Sequence, residues 1–254
     1  MGQVFFIGAG PGAADLITLR GARKLAQAQV VLFDSLVDPA LREWAPQARW
    51  ISVGKRGFAQ STGQATINAL LVKHASECEV VVRLKGGDPS VFGRLEEELE
   101  ALAAAGIACE VVPGVTAAIA AAAATQRPLT RRGRGRSVSL STAMTNEFRL
   151  LGGHHADTEV FYMAGKQLAA LARRLVVQGW PAATPTSVVS RAGWADQLHT
   201  EHRLDALGHA ALLHSGRPTV VIVGAGAMPV AATQARPGAL VAHNHPVRVA
   251  ASKP

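Results

Sequence analysis

Residues Val80–Arg94, VVVRLKGGDPSVFGR, decide the fold. Val80, Val81, Val82 and Leu84 form a short β-branched apolar run that ends in turn chemistry, which predicts a buried strand. Gly86 and Gly87 admit positive φ and let a ligand lie against bare backbone. Pro89 bars a helix until after Asp88, so Asp88 is left at the C-terminal edge of the sheet. Ligands bind at that edge in open α/β sheets. A tight strand-to-helix connection would account for a glycine pair alone. Lys85, two glycines, Asp88 and Pro89 together favour a binding loop.

Upstream, Val4–Ile7 is an apolar strand followed at once by Gly8-Ala9-Gly10-Pro11-Gly12. Helical periodicity through Leu16, Leu19 and Leu25 predicts a helix over 15–25, and a second strand, Val30–Phe33, ends at Asp34. This βαβ opening imitates the dinucleotide fingerprint, G-x-G-x-x-A with an acid about 20 residues on that could hold a ribose. NAD or another adenosine-containing ligand would fit it, although Pro11 removes a donor where a pyrophosphate wants one. A short helix near Pro39–Trp44, a strand near 50–53 and the loop Gly54-Lys55-Arg56-Gly57 follow. Ser61 or Thr62 can cap a helix over 64–76 with Ile67, Leu70 and Leu71 inward. Four loops, 8–12, 34–37, 54–57 and 86–88, therefore share one rim, where Asp34 and Lys55 can face each other.

Downstream, a helix over 94–105 carries Glu96–Glu98 and Glu100, most of them expected on a solvated face. A strand, Cys109–Val112, leads to Pro113-Gly114, which closes a first five-stranded α/β domain, and then to an alanine-rich helix. The second half is α/β too, with strands expected at 137–141, 159–163, 186–190, 199–203 and 219–223 and helices over 167–177 and 204–213. Residues 142–157 show no clear period. Their His154-His155 pair has no carboxylate or cysteine at ligand spacing and reads as a polar loop, not a metal site. Beyond Gly226 a Pro/Ala-rich stretch reads as a loosely ordered tail.

The 254 residues are 48% hydrophobic and 5% aromatic, which suits helices packed on a parallel sheet better than a β-sandwich. No apolar run reaches the roughly 18 residues a membrane span requires, and no secretory leader is read at the N-terminus. Cys78 and Cys109 lack metal spacing and fit reduced thiols in a cytoplasmic protein. The net charge of +8 implies an anionic partner: nucleic acid, a membrane surface or a polycarboxylate. Much of the excess lies in 127–136, RPLTRRGRGR, a run whose default reading is a solvated loop.

Taken together, VFFIGAGPG, LFDSLV, VGKRG, RLKGGDPSVFGR, VVPGVTAA, PLTRRGRGRSV and VFYMAGK resemble the tetrapyrrole (corrin/porphyrin) methyltransferases from Val4 to about Gly224. The order and spacing of these motifs remove most of the weight from NAD. The resemblance implies two α/β domains, 1–113 and 114–226 before a tail at 227–254, with the active site in the trough between them and usually a homodimer. It implies S-adenosylmethionine as methyl donor, no metal, and a pocket at Pro11, Gly86, Gly87, Asp88, Val91, Thr116, Ala117, Met163 and Ala192. It assigns Asp34 as proton acceptor and Lys55 as proton donor, and gives Arg94, Glu97 and Arg132 to substrate binding or catalysis. A macrocycle with eight carboxylates suits Arg131, Arg132, Arg134 and Arg136.

The chain departs from its relatives mainly on the substrate side. Ser90 stands where they usually carry an aromatic, Leu95-Glu96 where they carry Gly-Gly, Gln60 and Arg131 where they carry histidine, Ala143-Met144 where they carry Gly-His, and Ala225 where they carry glutamate. The motifs at 54–57 and 128–133 favour an early tetrapyrrole over a later corrin intermediate. A tetrapyrrole-binding relative with weakened catalysis is the reading from another class. The same loops point away from the branch of the family that methylates ribosomal RNA.

Overall fold

The computed structural model describes residues 2–54, 63–143 and 156–230. Lys55, Gln60, Ser61, Thr62, Met144, His154, His155 and all but the first residues of the expected tail lie outside them. Among the described residues, ten strands form two five-stranded sheets. The first contains β1 (Gln3–Gly8), β2 (Val30–Phe33), β3 (Arg49–Ser52), β4 (Val80–Lys85) and β5 (Cys109–Val112). It is parallel throughout, in the order β3-β2-β4-β1-β5.

Alternation along the first sheet explains its two cores. Val4 and Phe6 face one side with Val81 and Leu32, and there meet Ile67 and Leu71 of α2 (Gln64–Glu77) and Leu102 of α3 (Leu95–Ala104). Phe5 and Ile7 face the other side, with Leu25 of α1 (Leu19–Leu25) and Leu41. Each fully buried side chain of this size is worth roughly 1.5–3 kcal/mol. The helix expected over 15–25 is split: a single 3₁₀ turn, Ala14–Leu16, precedes α1, because Thr18 accepts from the Gly21 amide at 3.1 Å and caps a new start.

The chain leaves the first sheet at Pro113, and α4 (Ala117–Ala124) packs on the second. That sheet holds β6 (Val138–Thr142), β7 (Thr158–Tyr162), β8 (Pro185–Ser190), β9 (Leu198–Arg203) and β10 (Thr219–Gly224) in the order β6-β7-β10-β8-β9. Only β6 and β7 run parallel; the other three pairings are antiparallel. One face packs on α5 (Leu168–Val177) through Phe161, Val188 and Val221, and the other on α4 and Leu129 through Val160, Val189 and Ile222. The helix expected over 204–213 is a 3₁₀ stretch, Leu204–Ala211. No helix among the described residues is long and apolar enough to cross a membrane.

Of the acidic run, Glu96 and Glu100 are exposed and Glu97 partly so, and one member stands apart. Glu98 is fully buried, because its helical position turns it under the sheet edge toward two cations of β4. The basic run departs as well. Arg127 is buried, donating to the Ala227 carbonyl at 2.7 Å and pairing with Glu201, so only part of 127–136 is solvated.

Candidate functional site

The connection after β1 leads away past β4, while the connection after β4 leads past β1 to β5. The C-terminal ends of these two neighbours therefore open a crevice. Gly10 and Gly87 bridge it, the Gly87 amide donating to the Gly10 carbonyl at 2.7 Å and the Gly10 amide to the Gly87 carbonyl at 3.2 Å. Only Gly87 of the glycine pair takes positive φ, at +72°. Gly86 serves close approach instead, since a Cβ there would lie 2.9 Å from Cβ of Leu36. Behind the bridge the backbone is packed bare: a Cβ on Gly8 would sit 2.5 Å from Cα of Gly114.

Asp88 fixes the loop with both carboxylate oxygens. One accepts from the Ser90 amide and the other from the Gly114 amide, each at 2.8 Å. Its observed bonds are thus structural. Val91 and Ala117 pack beside the buried Tyr162, whose hydroxyl lies 2.7 Å from Oγ1 of Thr116 and accepts from the Ala118 amide at 3.3 Å. Burial pushes the Tyr162 phenol up, only partly opposed by those bonds. Phe92, half-exposed, rests against Tyr162 with ring centroids 5.0 Å apart. Met163 follows in the left-handed region at φ +56° and is 47% exposed.

The second sheet reaches back to the first loop. The indole N–H of Trp194 donates to the Pro11 carbonyl at 3.0 Å, and the buried Ala192 lies two residues before it. Gly87 thus bonds Gly10, Pro11 bonds Trp194, and Val91, Ala117 and Ala192 share one apolar cluster with the Tyr162 that holds Thr116; Gly86 and Asp88 flank Gly87, and Met163 follows Tyr162.

On the other flank, Asp34 closes β2, and its Oδ1 receives a guanidinium nitrogen of Arg83 at 2.6 Å. Lys55 lies outside the described residues; the cation seen facing Asp34 is Arg83. Arg94, itself left-handed at φ +53°, forms a forked pair with Glu97 at 2.8 and 2.7 Å. The pair holds Glu97 below the usual carboxylate range and Arg94 above its own. Both border an open depression of about 620 Å³ lined also by Pro89 and Phe92.

Arg132 is exposed at the tip of a tight turn closed by Arg131 and Gly135, whose amides and carbonyls bond reciprocally at 2.7 and 2.9 Å. Arg131 itself donates to the Met228 and Pro229 carbonyls, and burial lowers its guanidinium. Arg83, Glu98, Tyr162 and Trp194 were not singled out from sequence. Two cations in an otherwise apolar buried strand, Arg83 and Lys85, were the legible signal that a buried acid must exist.

A family model for the tetrapyrrole (corrin/porphyrin) methylases matches residues 3–208. The chain belongs to this family. It is 40% identical over 232 residues to a uroporphyrinogen-III C-methyltransferase of Pseudomonas aeruginosa, covering 88% of this chain and 93% of that protein. It is 42% identical over 230 residues to siroheme synthase 2 of Serratia proteamaculans, where 88% of this chain spans only 49% of the relative. A uroporphyrin-III C-methyl transferase from Thermus thermophilus, complexed with S-adenyl homocysteine, superposes with a TM-score of 0.77 at 34% identity, covering 88% of this chain and 97% of that one. Among the described residues of this methylase, no group of three His, Cys, Asp or Glu side chains is arranged to hold a metal ion.

Proposed function

We propose that the protein transfers methyl groups from S-adenosylmethionine to ring carbons of uroporphyrinogen III, two per macrocycle, giving precorrin-2 for sirohaem, cobalamin or haem d1. The observation that carries this reading is the match over 93% of the P. aeruginosa C-methyltransferase. We take the two sheets as two domains, 1–113 and 114–226, with 227–254 as a tail, and the working form as a cytoplasmic homodimer.

The glycine loops at 8–12 and 86–88, with Val91, Thr116, Ala117, Met163 and Ala192, hold the methyl donor. Methyl transfer from a sulfonium to carbon is an in-line displacement, so fixing sulfur, methyl and ring carbon on one line supplies much of the rate. Loops braced by Tyr162–Thr116 and Trp194–Pro11 suit that demand. Arg94 and Arg132 take macrocycle carboxylates, Arg94 by exchanging its Glu97 partner for substrate. Methylation leaves a surplus proton on the macrocycle, which Asp34 accepts, with Lys55 as donor and Glu97 close by.

Incubating the protein with uroporphyrinogen III and methyl-labelled S-adenosylmethionine tests the reading. Label in a dimethylated product supports it. Label only on a later corrin intermediate, or cofactor binding without turnover, defeats it.

A further inference from the structure

Beneath the rim lies a closed group of four charges, of which the steps above use only Asp34. Glu98 of α3 accepts from Nε of Arg83 at 3.0 Å and from Nζ of Lys85 at 2.5 Å, and Arg83 reaches on to Asp34 at 2.6 Å. Arg83, Lys85 and Glu98 are 3%, 2% and 0% exposed. The amide of Gln64 adds a contact to Glu98 at 3.4 Å, and a further guanidinium nitrogen of Arg83 donates to the Leu84 and Leu32 carbonyls at 3.2 and 3.5 Å. The group is neutral overall, two cations against two carboxylates, and among its members only Asp34 reaches substantial solvent.

Stability does not explain it. Well-packed apolar side chains commonly replace a buried ion network at no loss, or with gain. What the group does provide is direction. The planar guanidinium presents one edge to Glu98 and one to Asp34, so fixing the first fixes the second. Lys85 matters by saturating the other oxygen of Glu98, which keeps that carboxylate from rotating away. Lys85 also immediately precedes Gly86, and its ε-carbon lies 3.1 Å from where a Cβ on Gly93 would stand. The group therefore ties the Asp34 carboxylate to the loop that holds the methyl donor and to the helix that begins after Arg94.

We infer that Arg83, clamped by the buried Glu98–Lys85 pair, is a positioning residue that aims the Asp34 carboxylate at the macrocycle. This rests on the reading of Asp34 as proton acceptor. No proton travels through the group, because arginine stays protonated; it acts by geometry alone.

The test uses the full chain and four variants: Arg83→Met with Glu98→Gln, which keeps Lys85 and Asp34 in balance, Arg83→Lys, Asp34→Asn, and the double change combined with Asp34→Asn. The double variant should bind S-adenosylhomocysteine and show a KM for uroporphyrinogen III within about threefold of the parent, while kcat falls about thirty- to a hundredfold. Arg83→Lys, which keeps the charge but loses the fork, should lie between the two. Placed in an Asp34→Asn background, the double variant should lose less than about twofold more, because positioning has nothing left to position. A parental kcat in the double variant, or in Arg83→Lys should the double not fold, overturns the inference while Asp34→Asn remains impaired. A further large loss in the Asp34→Asn background overturns it as well. Full activity of Asp34→Asn overturns the reading of Asp34 itself, and the inference with it.

Discussion

Trp194 and Pro11 are 183 residues apart in sequence, yet the indole N–H of one donates to the carbonyl of the other at 3.0 Å. The contact is close-packed, since a Cβ on Gly12 would lie 2.4 Å from Cδ1 of Trp194. Arg191 covers the indole at 4.1 Å and is held by Asp196 at 2.7 Å. The first glycine loop is therefore set partly by the second sheet. Trp194→Phe, which keeps an aromatic ring and loses about 0.5–1.5 kcal/mol of hydrogen bonding, should weaken S-adenosylhomocysteine binding roughly two- to tenfold. Gly12→Ala should do at least as much by displacing the ring. Titration calorimetry checks both, and unchanged affinities would show the latch irrelevant to the pocket.

Tyr162→Phe should destabilise the fold by about 1–3 kcal/mol, because it strips partners from Thr116 and from the Ala118 amide while the ring contact with Phe92 stays. Urea denaturation should show a lower midpoint at an unchanged slope.

The adjacent arginines of the basic turn should separate. Arg132→Ala should leave thermal stability within about 0.5 kcal/mol of the parent, since the side chain is exposed. Loss of a charge-assisted pair of roughly 1.5–3 kcal/mol should instead weaken substrate use about ten- to a hundredfold. Arg131 carries structure, pinning the carbonyls of Met228 and Pro229. Arg131→His shortens that reach, so it should lower the melting temperature and not raise turnover. Steady-state kinetics and calorimetric melts on both variants give the comparison.

His214 is fully buried between Ser190, 2.9 Å from Nδ1, and Thr200, 2.8 Å from Nε2. Burial first, then the neighbouring His202 and Arg217, lowers its pKa to about 4 from 6.5. The unfolded chain takes up a proton below pH 6.5 that the folded chain refuses until about pH 4. Stability is therefore complete above pH 6.5 and is lost as the pH falls toward 4. A loss on the order of 3 kcal/mol across that window is expected, with His199 and His202 shifted the same way by burial. His214→Gln should flatten the dependence in denaturation curves recorded between pH 7 and 4.5.

The rim of the first sheet could be read from residues alone because its determinants are local. Proline restricts φ, glycine admits close backbone approach, and β-branched runs declare strands, so the loops at 8–12 and 86–88 and the strand ends at Phe33 and Val112 fall where expected. Charge gave the wrong answer at Glu98. A helical acid looks solvated until the helix is docked, and only docking brought it over β4. The mixed direction of the second sheet was equally out of reach, because strand patterning reports burial and not which neighbour a strand will choose. Sequence by itself thus determined the strands of the first sheet, the glycine loops at their ends and the family. Tertiary structure alone decided that Asp34 faces Arg83, that Tyr162 meets Thr116 and that Trp194 closes on Pro11, since partners 46 to 183 residues apart are selected by how the sheets pack.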